Sequence, residues 1–196
     1  SLFNANWSIN SYTISFNSNG GSDVDSITAE YNAYITLPTP TKTGYTFAGW
    51  FKDNNTFLDE FNEVKMPVLE GGLTLYAKWE LITYSITYNL NNGEWKSGFT
   101  PISTFTIESE EITLPIADNI SKLGYTFLGW YTSETFETDS KIDSISTGST
   151  ENKVVYAKWS TNAYSISYEL NGGEWAENYV APSEYDVTSE VIYLPK

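Results

Sequence analysis

Gly44-Tyr45-Thr46-Phe47-Ala48-Gly49-Trp50 recurs 80 residues later as Gly124-Tyr125-Thr126-Phe127-Leu128-Gly129-Trp130. A second block, Leu75-Tyr76-Ala77-Lys78-Trp79, recurs at the same interval as Val155-Tyr156-Ala157-Lys158-Trp159. A pattern copied at a fixed interval is typical of an array of similar structural units. We therefore interpret the chain as tandem small domains, a design that favours reach and multivalency over chemistry at one unique site.

Three alternating segments, which begin at Tyr12, Tyr84 and Tyr164, open the units. They predict repeat 1 at residues 12–79, repeat 2 at 84–159 and an incomplete repeat 3 at 164–196. Phe3 to Trp7 loosely matches the closing block, so residues 1–11 are expected to hold the closing strand of a preceding repeat and a linker. The third copy stops after a Leu-Pro pair, for which we favour truncation of a longer array over completion by strands from a neighbouring chain.

Composition excludes several classes of protein. The chain has a net charge of −15 and only 10 Lys and Arg residues, which argues against nucleic acid and anionic membrane surfaces as partners. It has no His and no Cys, so Ser-His-Asp or Cys-His catalysis and the usual zinc sites are ruled out. No apolar run is long enough to span a membrane, so we expect no direct membrane insertion of this fragment.

The opening segments have the period-2 pattern of half-buried strands, and Asn-Gly pairs after them predict tight hairpin turns. Further strands are predicted through 27–37 or 104–114, through 44–51 and through 73–79. Simple alternation places Trp50 on the face opposite Phe47. Only 57–69 and the segments before each Leu-Pro pair could be helical, which predicts a four-stranded sheet with at most one short helix per unit.

The ordered motifs carry a family resemblance. The series YxIxY/F, NGG, LP, GYTFxGW, KMP and LYAKW resembles the Listeria–Bacteroides repeat, the B-repeat of internalin-type surface proteins. Repeat 1 matches throughout, whereas repeat 2 has Ser144–Ser149 where Lys65-Met66-Pro67 stands in repeat 1. The resemblance implies an α+β, mostly β fold made of tandem β-grasp (ubiquitin-like) domains in an elongated array. It also implies an extracellular, cell-surface location with the anchor outside this fragment, and a spacer or adhesive role without catalysis.

Trp95 and Trp175 are the candidate ligand-binding residues. Each follows a turn and is flanked by acidic residues, Glu94 and Glu174, where a buried ring is not expected. An exposed indole can stack on a sugar or anchor a protein. The structural alternative, which we favour, is that each Trp folds back over the hairpin to shield a small core. Because Glu94 and Glu174 could also serve as paired carboxylates, a glycosidase remains a remote third hypothesis after a spacer and a carbohydrate-binding module.

Trp79 and Trp159 are predicted to lie at the junctions between repeats, since each immediately precedes a four-residue linker. Linkers this short should make the array semi-rigid. The expected partners are adjacent repeats of the same chain and a host or bacterial surface protein or glycan. Acidic clusters such as Glu134, Glu137 and Asp139 lack the spaced ligands of a calcium loop, so no metal, cofactor or catalytic residue is predicted.

Overall fold

A computed structural model describes residues 5–194, and residue contacts divide the chain into two compact units with the boundary between Thr83 and Tyr84. Almost all regular structure in the described residues is β, as the sequence predicted. The single helical element among them is a 3₁₀ turn at Thr138–Ser140. The segments that the sequence allowed to be helical, including 57–69, form no helix.

The first unit is built on one mixed sheet of four strands, β1 (Ser11–Asn17), β2 (Ile27–Glu30), β3 (Tyr45–Phe51) and β4 (Leu73–Leu81). Their order across the sheet is β2-β1-β4-β3. The central pair, β1 and β4, runs parallel, and both edge strands pair antiparallel. A parallel pair requires a long crossover, which is why the opening and closing motifs lie far apart in each copy.

The core of the first unit forms on one face of this sheet. Its fully buried members are Ile14, Trp50, Phe61, Met66, Leu75 and Ala77. The indole of Trp50 is 2% exposed, and its N–H donates to the carbonyl oxygen of Pro38 at 2.8 Å. Phe61 and Met66 come from the long connection between β3 and β4, which supplies buried side chains in the place of a helix.

A β-bulge in the GYTFxGW segment corrects the predicted orientation of its aromatic residues. The register of β3 against β4 shifts between Phe47 and Trp50, where Gly49 has a φ of +116°. The extra residue returns Trp50 to the side of Phe47, and the two ring centroids lie 5.4 Å apart. The prediction that Trp50 lies on the face opposite Phe47 was therefore wrong. It assumed a regular strand, whereas a glycine inside a strand can mark a β-bulge.

The described part of the second unit, residues 84–194, contains eleven strands. They are β5 (Tyr84–Asn89), β6 (Glu94–Trp95), β7 (Thr104–Phe105), β8 (Ile112–Thr113), β9 (Ile120–Ser121), β10 (Tyr125–Tyr131), β11 (Lys141–Ile142), β12 (Ser144–Ile145), β13 (Lys153–Thr161), β14 (Tyr164–Ser165) and β15 (Glu184–Tyr185). The main sheet has the order β11-β10-β13-β5-β7, again with a parallel central pair. The pairs β6–β9, β8–β12 and β14–β15 form separate two-stranded sheets.

The Asn-Gly turns do not close tight hairpins. In the first unit, Asn19 and Gly20 have positive φ. The chain that leaves this turn does not pair back onto β1 there, because the Ser22 N–H donates to the Thr41 carbonyl at 2.8 Å. In the second unit, β6 likewise leaves the turn to pair with β9. Each turn is therefore the first corner of a wide connection, and the next strand of the main sheet pairs only later.

The predicted closing strand at the N-terminus lies partly outside the described residues, because it includes Phe3 and Asn4. The described residues 5–10 are not in a strand, and Trp7 is almost fully exposed. At the other end, residues 164–194 contribute no fully buried residue, and Pro195 and Lys196 lie outside the described range. The proposed boundaries of the three repeats stay predictions.

Candidate functional site

Trp95 packs into the core of its own unit. Strand β6 brings it opposite Ile120 on β9, after a turn in which Asn91 and Asn92 have positive φ. Its ring lies 5.3 Å from Tyr88 and 5.9 Å from Trp130, measured between centroids. The side chain is half-buried and contacts the hydrophobic cluster. The contacts match the structural alternative, in which the indole shields a small core.

Trp175 lies in a more open setting. It is 38% exposed and packs between Tyr168 and Tyr179, with ring centroids at 5.0 and 5.5 Å. Trp175 lines an open groove of about 650 Å³ that also includes Glu169 and Glu174. Exposed aromatic rings beside carboxylates are the side chains that sugar-binding grooves use.

Trp79 and Trp159 each hydrogen-bond to the residue that precedes the Asn-Gly turn of their own unit. The Trp79 N–H donates to the Ser18 carbonyl at 2.8 Å, and the Trp159 N–H donates to the Leu90 carbonyl at 2.9 Å. A Cβ added to Gly21 or Gly93 would lie 2.5 Å from the indole, so only glycine fits beneath each ring. Their placement at the junctions between repeats stays a prediction.

A lysine and an asparagine complete each of these turns, and sequence reasoning missed both. Lys122 donates to the Asn91 carbonyl at 2.9 Å while its ammonium lies 4.1 Å from the Tyr125 ring centroid. The Asn91 side chain in turn donates to the Ala157 carbonyl at 2.8 Å. The first unit repeats the arrangement with Lys42 and Asn19. The recurrence of Lys two residues before GYTF was the signal available in the sequence.

Among residues 5–194, no acidic side chain is buried. Glu94 and Glu174 are both exposed. Hydrogen bonds from Thr56 hold the pKa of Asp53 well below its usual range, with the backbone N–H groups of residues 55–57 adding to the effect. Ser133 and Thr135 lower the pKa of Glu137 in the same way. The carboxylates of Asp53 and Glu137 therefore accept hydrogen bonds that hold exposed loops in place.

Within the described residues, no cluster of three or more acidic side chains could hold a metal ion. The same part of the chain has no helix with the length and apolar character needed to cross a bilayer.

Comparison with known proteins gives concordant results. The family model described as the Listeria-Bacteroides repeat domain matches residues 12–78 and again residues 84–158. A protein of Evansella cellulosilytica named as a Gly-rich membrane protein is 40% identical over 177 residues, 86% of this chain and 18% of the relative. A second membrane protein of that organism is 39% identical over 85% of this chain and 24% of its own length.

Internalin H of Listeria monocytogenes is 38% identical over 122 residues, which cover 58% of this chain and 20% of the internalin. The chain thus spans less than a quarter of the length of each of these relatives. No solved structure matches it. Because the family model covers most of the sequence, in two successive copies, the chain belongs to the Listeria–Bacteroides repeat family.

Proposed function

We propose that this chain is a non-enzymatic, extracellular repeat module that acts as a spacer on a bacterial cell surface and adds weak adhesive contacts. The observation that carries the proposal is the repeated, self-contained core, in which Trp50 and Trp130 are each buried among residues of their own unit. Repeats that fold around their own cores can be added without redesigning a site. Repetition also multiplies weak affinities through effective concentration.

The relatives support the surface location. Two are named as membrane proteins and one as an internalin, and this chain corresponds to a minor part of each. A repeat segment that makes up a minor part of a membrane-associated protein suits a connecting role. The lack of His and Cys in the sequence supports a role without catalysis, since the commonest nucleophile–base pairs cannot be assembled.

We further infer that each repeat has the β-grasp topology. The order β2-β1-β4-β3 with a parallel central pair supports this inference, because it joins an N-terminal hairpin to the closing strand of the unit. The connection that a helix would occupy is an extended segment whose Phe61 and Met66 cover the sheet. An experimental structure of the chain checks the topology.

Immunolabelling of the producing bacterium tests the surface location. Antibodies raised against residues 12–159 should label intact, non-permeabilised cells, and protease added outside should remove the signal. Labelling that appears only after lysis contradicts the proposal. Deleting residues 84–159 from the parent protein should then bring its outermost epitope closer to the wall, whereas replacement by an unrelated folded domain of similar size should preserve the distance.

A carbohydrate-binding role is the second candidate, favoured by the groove around Trp175. Glycan-array binding that is lost in Trp175→Ala and kept in Trp7→Ala would support it, since Trp7 is an exposed indole outside the groove. An array without signal leaves the spacer role as the proposal. Trp95→Ala is unsuitable as the primary test because Trp95 packs into the core, and its loss would affect folding.

A further inference from the structure

Gly124, at the start of the second GYTF segment, is enclosed from two sides. Its φ is +79°, and its carbonyl oxygen accepts a hydrogen bond from the Asn162 N–H at 2.9 Å. A Cβ added to it would lie 2.8 Å from the Cβ of Val187 and 3.1 Å from both γ-methyl groups. Both the backbone conformation and the neighbouring side chain therefore demand glycine.

Val187 is presented to this glycine by a turn that immediately follows β15. The Asp186 N–H donates to Ser189 Oγ at 2.8 Å, and the Ser189 N–H returns to the Asp186 carbonyl at 3.2 Å. The Asp186 carboxylate accepts from the Thr188 N–H at 2.8 Å and from Thr188 Oγ1 at 2.7 Å, and these hydrogen bonds lower its pKa.

The connecting chain at this point is very short. Strand β13 ends at Thr161 and β14 begins at Tyr164, so only Asn162 and Ala163 lie between them. Asn162 is itself fixed, because its N–H donates to Gly124 and its side chain accepts from Thr126 Oγ1 at 2.6 Å. The linker and the Val187 side chain thus converge on the same glycine.

We propose that Gly124 and Val187 form a joint that fixes the orientation of residues 164–194 on repeat 2. The Val187 side chain packs directly against the backbone of Gly124, in space that a Cβ at residue 124 would occupy. The partner that fits the surface at Gly124 is a β-branched residue in the turn after β15, which belongs to the repeat that follows. The joint deepens the proposed spacer role and rests on it for its biological use, because a spacer of fixed joints keeps a defined reach.

The residue types of the joint recur with the repeat. Gly44 has the same φ of +79° as Gly124. In repeat 2, Ile107 stands 80 residues before Val187, at the equivalent position of the repeat. The corner that contains Ile107 is also built alike, with the Thr106 N–H donating to Ser109 Oγ at 2.9 Å. A glycine and a β-branched aliphatic residue at a constant spacing are thus a property of the repeat sequence.

Val187→Ser in the full chain tests the joint, with Val180→Ser as the matched control. Val180 is a valine of the same repeat that is 88% exposed, against 48% for Val187. In ¹⁵N-labelled protein, Val187→Ser should shift the amide signals of Gly124 and Asn162. It should also shorten the rotational correlation time of residues 164–194 relative to repeat 2, whereas Val180→Ser should do neither. Unshifted Gly124 and Asn162 signals, or independent tumbling of residues 164–194 already in the unmodified chain, would overturn the proposal.

A second pair of variants covers the case in which Val187→Ser unfolds the hairpin of β14 and β15. Gly124→Ala should displace the methyl signals of Val187, and Leu123→Ala, at an exposed neighbouring position, should leave them in place. Equal effects of the two substitutions would also overturn the proposal. These readouts are independent of cell labelling, so a failed joint and a failed spacer role can be told apart.

Discussion

Repeat 1 and repeat 2 share four sheet strands in the same order, to which repeat 2 adds β11 at one edge, and they cover the sheet with different side chains. The positions on the central strands correspond, with Ile14, Leu75 and Ala77 in repeat 1 and Ile86, Val155 and Ala157 in repeat 2. A buried tryptophan donates to a proline carbonyl in both.

Over this shared frame, repeat 1 uses Phe61 and Met66, whereas repeat 2 uses Ile112, Ile120, Ile145 and the half-buried Trp95. The short pairs β8–β12 and β6–β9 have counterparts in repeat 1, namely the bridge between Tyr34 and Lys65 and the hydrogen bond from the Ser22 N–H to the Thr41 carbonyl. The difference teaches that the repeat motifs specify the sheet and its tryptophan, while the buried side chains that the connections supply can vary. A cover of similar volume suffices, because hydrophobic contacts are not directional.

Replacing the buried tryptophan should have the largest effect. Trp50→Ala is expected to destabilise the first unit by about 3–5 kcal/mol, since it removes a fully buried ring and leaves a cavity. Hydrogen exchange followed by mass spectrometry on the full chain would measure it. Trp50→Phe should cost less, because it retains most of the ring and loses mainly the hydrogen bond to Pro38. Equal losses from both variants would contradict the packing described for Trp50.

Met66→Ala should distinguish the side chains that cover the sheet in repeat 1 from those that cover it in repeat 2. Met66 is fully buried in repeat 1, so the substitution is expected to cost about 2–5 kcal/mol. Ser146 stands 80 residues later and is exposed, so Ser146→Ala should change stability by less than about 0.5 kcal/mol. Chemical denaturation monitored by NMR signals of each unit would report both values. A comparable loss at Ser146 would show that the two connections pack alike after all.

Trp95→Ala should have an intermediate effect on repeat 2. The ring is half-buried against Tyr88 and Trp130, so we expect a loss of about 1–2 kcal/mol from area burial. The same denaturation measurement applies, with Lys96→Ala at the adjacent position on the chain as the control. If Trp95→Ala were neutral and abolished binding to a glycan, the assignment of Trp95 to the core would be wrong.

The loop held by Asp53 should show the smallest effect, which depends on pH. Hydrogen bonds from Thr56 and neighbouring N–H groups depress the pKa of Asp53 below its unfolded value near 3.8. The order they confer is therefore complete above that value and is lost as the pH falls through the folded pKa. Amide signals of Thr56 and Phe57 should move only in strongly acidic solution. In Asp53→Asn, which retains an acceptor oxygen, this movement should disappear; its persistence would assign the titration to another group.

The sequence predicted the elements that have a regular period and missed those that depend on a single residue. The segments at 45–51 and 73–81 were predicted within two residues, because alternation and β-branched or aromatic content mark a half-buried strand. The orientation of Trp50 was missed because one bulge at Gly49 reverses the alternation. The sequence favoured a core-shielding role for Trp95 but could not identify its partners, since Trp130 lies 35 residues away and reaches it only through the fold.

The central claim is that each repeat folds around its own tryptophan. Hydrogen exchange in the full chain carrying Trp130→Ala tests it most directly, with protection followed separately for residues 12–79 and 84–159. The account predicts that residues 84–159 lose protection by about 3–5 kcal/mol while residues 12–79 change by less than about 0.5 kcal/mol. Parallel loss of protection in both regions would contradict it, because it would mean that the two repeats unfold as one.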